Sequence, residues 1–159
     1  MSYVSCFSGI GGLEGREPPL AVCEIDVECH AVLRRKFPSA TLHADLMQLQ
    51  GITCDVIVGG WPCQDLSVAG RQAGLAGSNS QLFYAFVQAA ERLQAKTIVA
   101  ENVPNLLSLS GGDVFREVLR QFAERGYPYC AWRTLDAQKF GLPHSRNRVF
   151  MIASTDRTA

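Results

Sequence analysis

The sequence predicts an α/β fold, a mostly parallel sheet with helices on both faces. Three observations predict it. Short apolar runs alternate along the whole chain with segments of helical periodicity, the pattern of successive β-α-β units. Runs such as Val56-Ile57-Val58 are apolar throughout, as parallel strands buried on both faces are. Several runs end on glycines, carboxylates or a Pro-Cys pair, and open α/β sheets bind their ligands at the carboxyl ends of the strands.

In chain order, strands are expected at Tyr3 to Phe7, Leu20 to Glu24, Thr41 to His43, Asp55 to Val58, Thr97 to Ala100, Cys130 to Thr134 and Val149 to Ala153. Helices are expected at Val27 to Phe37, Ser80 to Gln94 and Val114 to Arg125. In the second helix Leu82, Phe83, Phe86, Val87 and Ala90 recur at helical spacing. In the third, Asp113 is placed to cap a stripe of Val114, Phe115, Val118, Leu119 and Phe122, and Gly126 stops it. Ser67 to Asn79 reads as a glycine-punctuated polar loop. It is either an ordinary surface loop or one that closes over a substrate.

The totals bound the function. A chain of 159 residues with 47% hydrophobic and 19% charged content fits one globular domain with a single core. Its longest apolar runs are strand-length, so no membrane span is expected, and the first residues show no signal-like stretch. A cytoplasmic or nucleoid-associated location is the expectation. The six cysteines include no Cys-x-x-Cys pair and are expected to be reduced thiols. Cys23 precedes an acidic strand end, and Cys29, His30 and His43 lie on a separate helix and strand, so no metal site is expected. A formal net charge of zero neither points to nor excludes nucleic acid, because a local patch can sit within a neutral total.

The strand ends carry the chemistry. Phe7-Ser8-Gly9-Ile10-Gly11-Gly12 follows the first strand, where glycines let backbone approach a ligand closely; by itself it could be only a tight turn. It lacks the dinucleotide spacing, and the chain has no Gly-Lys-Ser/Thr phosphate loop. Glu24, after the second strand, suits ribose hydroxyls and disfavours nearby phosphates. Asp45, after the third, could accept from an adenine amino group or cap a helix. Together these indicate a nucleoside without a pyrophosphate, with S-adenosylmethionine the leading candidate. Cys63, in Gly59-Gly60-Trp61-Pro62-Cys63-Gln64, places a thiol after the fourth strand. Glu101, ending the fifth, projects at the same sheet edge, either as a catalytic acid or as a salt-bridged or capping carboxylate. A thiol beside a carboxylic acid suits addition to an electron-poor ring whose nitrogen the acid protonates.

Four blocks now stand in order: Phe7-Ser8-Gly9-Ile10-Gly11-Gly12, Gly59-Gly60-Trp61-Pro62-Cys63-Gln64-Asp65-Leu66-Ser67, Glu101-Asn102-Val103 and Arg146-Asn147-Arg148. With them the chain, from Tyr3 to about Ala153, closely resembles the DNA (cytosine-5-)-methyltransferase family. The resemblance implies a Rossmann-like, S-adenosylmethionine-dependent methyltransferase fold, forming one catalytic domain over residues 1–159. It implies that Cys63 adds to carbon 6 of a cytosine flipped out of duplex DNA, while Glu101 holds or protonates ring nitrogen 3. Carbon 5 then takes a methyl group from S-adenosylmethionine, and loss of its proton releases Cys63. Arg146 and Arg148 match paired arginines that contact the cytosine and the backbone near Cys63, where a cation favours the thiolate. Pro62, Gln64, Ser67 and Asn102 match the substrate side of the site. Phe7, Gly9, Ile10, Gly11 and Gly12 match the cofactor loop. Glu24 matches the ribose acid, Ile25 a residue packed on adenine, Asp45 one reaching the adenine amino group, and Leu82 a position near the methionine moiety. Ser67 to Asn79 matches a catalytic loop that closes on DNA.

The departures are equally specific. Between Gly12 and Glu24 the chain is short and carries Pro18-Pro19, so an abbreviated first crossover is expected. His144 stands where the family has glutamine. The family continues into a target-recognition region and a final block, whereas this sequence stops at Ala159. The expectation is therefore the catalytic half of a restriction-modification-type DNA methyltransferase, with a second polypeptide or C-terminal region supplying recognition. A non-catalytic protein that binds cofactor or a partner, and an RNA cytosine-5 methyltransferase, are the alternatives.

Overall fold

The computed structural model describes residues 1–62 and 80–157. The strands are β1 (Tyr3–Cys6), β2 (Ala21–Cys23), β3 (Thr41–His43), β4 (Val56–Gly59), β5 (Thr97–Asn102), β6 (Tyr129–Asp136) and β7 (Asn147–Ser154). The helices are α1 (Val27–Lys36), α2 (Ser80–Arg92) and α3 (Asp113–Glu124). All seven expected strands and all three expected helices are present, with ends shifted by a few residues. Short 3-10 turns lie at Leu46–Gln48, which follows Asp45, and at Pro104–Leu107, Leu109–Gly112 and Ala137–Phe140, of which the last three are not anticipated by the sequence.

The seven strands form one sheet in the order β3-β2-β1-β4-β5-β7-β6. The first five are mutually parallel; β7 runs antiparallel to β5, and β6 antiparallel to β7. The order reverses between β1 and β4, which opens a crevice at their carboxyl ends, the place where such sheets bind ligands. The segments after β1 and β4 are Phe7–Gly12 and Gly60–Pro62, so the topology brings the first two sequence blocks together.

Helices lie on both faces, as expected. α2 and α3 cover one face through Phe83, Phe86 and Phe122, against Val4, Cys6, Ile57, Ile98, Ala100 and Met151. All three aromatic rings are fully buried, each contributing about 2–3 kcal/mol of transfer free energy. α1 covers the opposite face through Leu33 and Phe37, against Val22 of β2. Asp26 caps α1 by accepting from the Glu28 amide at 3.0 Å, and Arg34, Arg35 and Lys36 in its last turn complement the helix dipole.

Two local expectations meet the structure differently. Gly126, with φ of 90°, does end α3. Asp113 does not cap it: Gly112 occupies the N-cap in a left-handed conformation, and Asp113 is the first helical residue, paired with Arg116. A glycine pair at 111–112 bends the chain into the helix more readily than a capping carboxylate could. The first crossover is abbreviated, as expected; residues 7–20 contain no helix at all. Among the described residues no helix is long and apolar enough to cross a membrane.

Candidate active site

Cys63, Gln64 and Ser67, with the rest of the loop to Asn79, lie outside the described residues. The platform leading to them is described in full. β4 ends at Gly59, and Gly60, Trp61 and Pro62 continue across the sheet edge. Trp61 is buried with its ring 5.0 Å from that of Phe83. The Asn102 side chain, itself buried, donates to the Trp61 carbonyl at 3.2 Å and accepts from the Val103 amide at 2.8 Å. Asn102 therefore fixes the backbone one residue before Pro62 and two before Cys63.

Glu101 is one residue earlier on β5 and faces the other side of the sheet. Its Oε1 accepts from Arg148 Nε at 2.9 Å. Its Oε2 lies over Gly60, so close that a Cβ built there would sit 2.6 Å away. Gly60 is small because the carboxylate occupies the space a side chain would take. Burial pushes the Glu101 carboxyl up from its ordinary range, and Arg148 and Arg146 offset that only in part. The result is a carboxyl that holds its proton more readily than a solvated glutamate.

The arginines come from the β6–β7 hairpin. Asp136 accepts from the Gln138 and Arg146 amides at 3.2 and 2.9 Å and from Ser145 Oγ at 3.0 Å, which ties the 137–146 loop to the end of β6. Arg148 then lies on β7 beside Phe150, which pairs with Glu101 across the β5–β7 ladder. Glu101, Arg146 and Arg148 border a cavity of about 520 Å³ with Phe7, Ser8 and Gly12 on its other side. The rest of its wall, Leu13, Gly60, Leu135, Ala137, Phe140, Leu142 and Phe150, is mostly apolar. An electron-poor ring entering it would meet one half-buried acid, two guanidinium groups and apolar contacts.

The residues expected to hold the cofactor lie at the ends of β1, β2 and β3 and on α2. Phe7 adopts a left-handed backbone, with φ of 55°, unusual for a residue with a side chain. The Gly9 amide donates to Glu24 Oε2 at 2.7 Å, and the Asp26 amide to Oε1 at 2.9 Å. Glu24 thus braces the glycine loop while keeping lone pairs for a ligand's hydroxyls. Ile10 and Ile25 beside it are 65% and 82% exposed. Large apolar side chains left in water at a strand end fit the face of a purine, which tests well against a nucleoside cofactor. Asp45 accepts from the Met47 amide at 2.9 Å through Oδ1, so its capping role is realised and one oxygen remains. Leu82 is half-buried on α2. Glu24, Ile25, Asp45 and Leu82 do not border the 520 Å³ cavity, whereas Phe7 and Gly12 do.

The described cysteines are poor nucleophiles. Burial pushes the Cys23 thiol up to about 12 and those of Cys54 and Cys130 to about 11, and it raises that of Cys6 as well. No group of three or more potential metal ligands occurs among the described residues. The sequence reading missed Ser8, Leu13, Gly60, Leu135, Ala137, Phe140, Leu142 and Phe150 as cavity walls. Phe140-Gly141-Leu142-Pro143, an apolar cluster broken by glycine and proline just before the paired arginines, was the available signal.

The family model for C-5 cytosine-specific DNA methylases matches residues 1–158, and the chain belongs to that family. The type II methyltransferase M2.BsuMI of Bacillus subtilis is 38% identical over 165 residues, which cover 97% of this chain and 42% of the relative. The type II methyltransferase M.AquIA of Picosynechococcus is 27% identical over 176 residues, covering 95% of this chain and 71% of the relative. In structure, the methyltransferase EhMeth of Entamoeba histolytica superposes with a TM-score of 0.73 at 18% identity, covering 98% of this chain and 53% of that one. The last likeness speaks for the fold alone. The chain spans less than half the length of M2.BsuMI, so it corresponds to the part of such proteins that holds these blocks.

Proposed function

We propose that these 159 residues are the catalytic portion of a DNA cytosine-5 methyltransferase that uses S-adenosylmethionine and attacks an extruded cytosine through Cys63. The observation that carries the reading is the Glu101 carboxyl, held by Arg148, raised by burial and set over Gly60 at the edge from which Pro62 leads to Cys63. When bound, S-adenosylmethionine supplies an electrophilic methyl group. Glu24 would hold its ribose, Ile25 and Ile10 would pack on its adenine, and Phe7 and Gly12 would border the end nearer the cavity.

The chain's own work is on the cytosine. Cys63 Sγ, as thiolate, forms a bond to carbon 6, and the ring's electron pair moves toward carbon 5 and nitrogen 3. Glu101 delivers a proton to nitrogen 3, so negative charge does not build up in the ring. Arg148 holds the carboxyl in orientation through Oε1, and Arg146 adds positive potential at the same mouth. After carbon 5 takes the methyl group, leaving S-adenosylhomocysteine, its proton passes to water, the bond to Sγ breaks as the 5,6 double bond re-forms, nitrogen 3 gives its proton back to Glu101, and the thiolate returns. The target must leave the helix for this, because neither ring face of a stacked base is open to a thiol.

Recognition of a particular DNA sequence is assigned to residues outside these 159. Base readout needs an element that reaches a groove. A C-terminal region or a second polypeptide is the proposed source. Transfer of a labelled methyl group to duplex DNA tests the reading, with the chain alone and with the product of the adjacent gene. The expected result is little transfer alone and robust transfer with the partner, lost in Cys63→Ala. Cofactor binding without transfer under any pairing would favour a binding protein instead.

A further inference from the structure

Residues 7–20, between β1 and β2, carry a half-buried carboxylate, that of Glu14, which the proposed chemistry does not use. Ser5 on β1 is fully buried, and its Oγ donates to Glu14 Oε1 at 2.7 Å. Ser5 Oγ in turn accepts from Ser8 Oγ at 3.0 Å, and Ser8 Oγ lies 3.2 Å from the Ser5 carbonyl. Ser8 is 6% exposed and stands inside the glycine loop; its amide donates to the Cys23 carbonyl at 3.1 Å, and its carbonyl accepts from the Gly11 amide at 2.8 Å. A chain of hydrogen bonds thus runs from Glu14 through the interior to the loop's backbone. Glu14 Oε2 is buried and has no partner among the described residues.

A carboxylate oxygen buried without a partner costs free energy to maintain, and its place could have been filled by an apolar side chain of a crossover helix. This connection has no helix, and Pro18-Pro19 fits one poorly. The loop also has an unfavourable conformation to hold, because Phe7 is in the left-handed region between Ser5 and Ser8. Glu24 pins the far side of the turn at Gly9. A charged acceptor, roughly twice as strong as a neutral one, pins the near side.

We propose that Glu14 is a positioning residue for the cofactor loop, acting through Ser5 and Ser8 in place of the helix this connection lacks. The inference rests on the reading of that loop as the S-adenosylmethionine site, and its test separates the two. Amide hydrogen exchange at Ser8, Gly9 and Gly11 reads the loop in the free protein, and calorimetric titration with S-adenosylhomocysteine reads the site. Glu14→Ala should speed exchange at those amides and weaken binding, each roughly tenfold. Glu14→Gln, which keeps an oxygen for Ser5, should restore most of both. Ser5→Ala should match Glu14→Ala, and the double variant should be no worse than either. Unchanged exchange and affinity in Glu14→Ala, or losses that add in the double variant, would overturn the proposal. If Glu14→Ala does not fold, Ser8→Ala removes the last link with Glu14 and Ser5 still paired, and an unloosened loop there overturns it equally. Faster exchange in a protein that never binds S-adenosylhomocysteine would uphold Glu14 and sink the cofactor reading.

Discussion

The two faces of the sheet around β4 and β5 are built for different ends. On the face covered by α2 and α3, Ile57, Ile98, Ala100 and Met151 are fully buried against phenylalanine rings. On the other face, the same strands present Val99, Glu101, Arg148 and Phe150 half-buried, and Ile152 is 46% exposed. Two adjacent glycines divide along this line. A Cβ on Gly59 would stand 2.9 Å from the Cys6 carbonyl and 2.9 Å from the Phe86 ring, whereas one on Gly60 would meet only Glu101 so closely. The first glycine is required by packing and the second by the site. Stability is concentrated on the covered face, and the open face holds the chemical groups and the cavity wall.

Substitutions should therefore separate folding from activity according to the face they touch. The largest effect is expected for Gly59→Ala, where a rigid ring and a neighbouring strand's carbonyl both resist. It should lose about 3 kcal/mol or more, read as a fall in the chemical denaturation midpoint. Ile98→Ala, on the same face, should lose about 2–5 kcal/mol in the same measurement. Gly60→Ala should leave the midpoint nearly in place, because a flexible carboxylate can swing aside. It should lower methyl transfer by about a hundredfold by displacing Glu101 from Arg148.

Glu101→Gln reports on the same site through pH. The Glu101 carboxyl is raised in the folded protein, so its favourable contribution is complete below its unfolded pKa and is lost as pH rises through its folded one. The glutamine variant should then gain stability over the parent at neutral pH, and the gain should vanish on acidification. A constant difference across that range would remove burial as the dominant influence on Glu101. The smallest effect belongs to Ile152→Ala, which should cost under about 1 kcal/mol because its side chain already meets solvent. A loss as large as that of Ile98→Ala would erase the contrast between the faces.

Much of this division could be anticipated from the order of residues. Apolar runs and strand-end carboxylates placed Glu24 and Glu101 at one sheet edge, and Pro18-Pro19 announced the shortened crossover. What escaped was nonlocal. The wedge of Oε2 over Gly60 joins positions 41 residues apart in sequence, and no local pattern distinguishes Gly60 from Gly59. Phe140, Leu142 and Phe150 become cavity walls only because β7 inserts antiparallel between β5 and β6, a register that hydrophobic periodicity does not encode. The Ser5–Glu14 bond escaped because a serine and a glutamate near a turn ordinarily face water.

The central claim is that Cys63 forms a covalent bond to cytosine with Glu101 as its acid. Duplex DNA carrying 5-fluorocytosine tests it most directly, because fluorine on carbon 5 cannot leave as a proton does and the adduct persists. The protein, with the polypeptide that confers methyl transfer and with S-adenosylmethionine, should give a complex stable to denaturation whose DNA-bearing peptide contains Cys63. That complex should be absent in Cys63→Ala and formed far more slowly in Glu101→Gln. Methyl transfer without any such complex, or a complex through a different cysteine, would contradict the account.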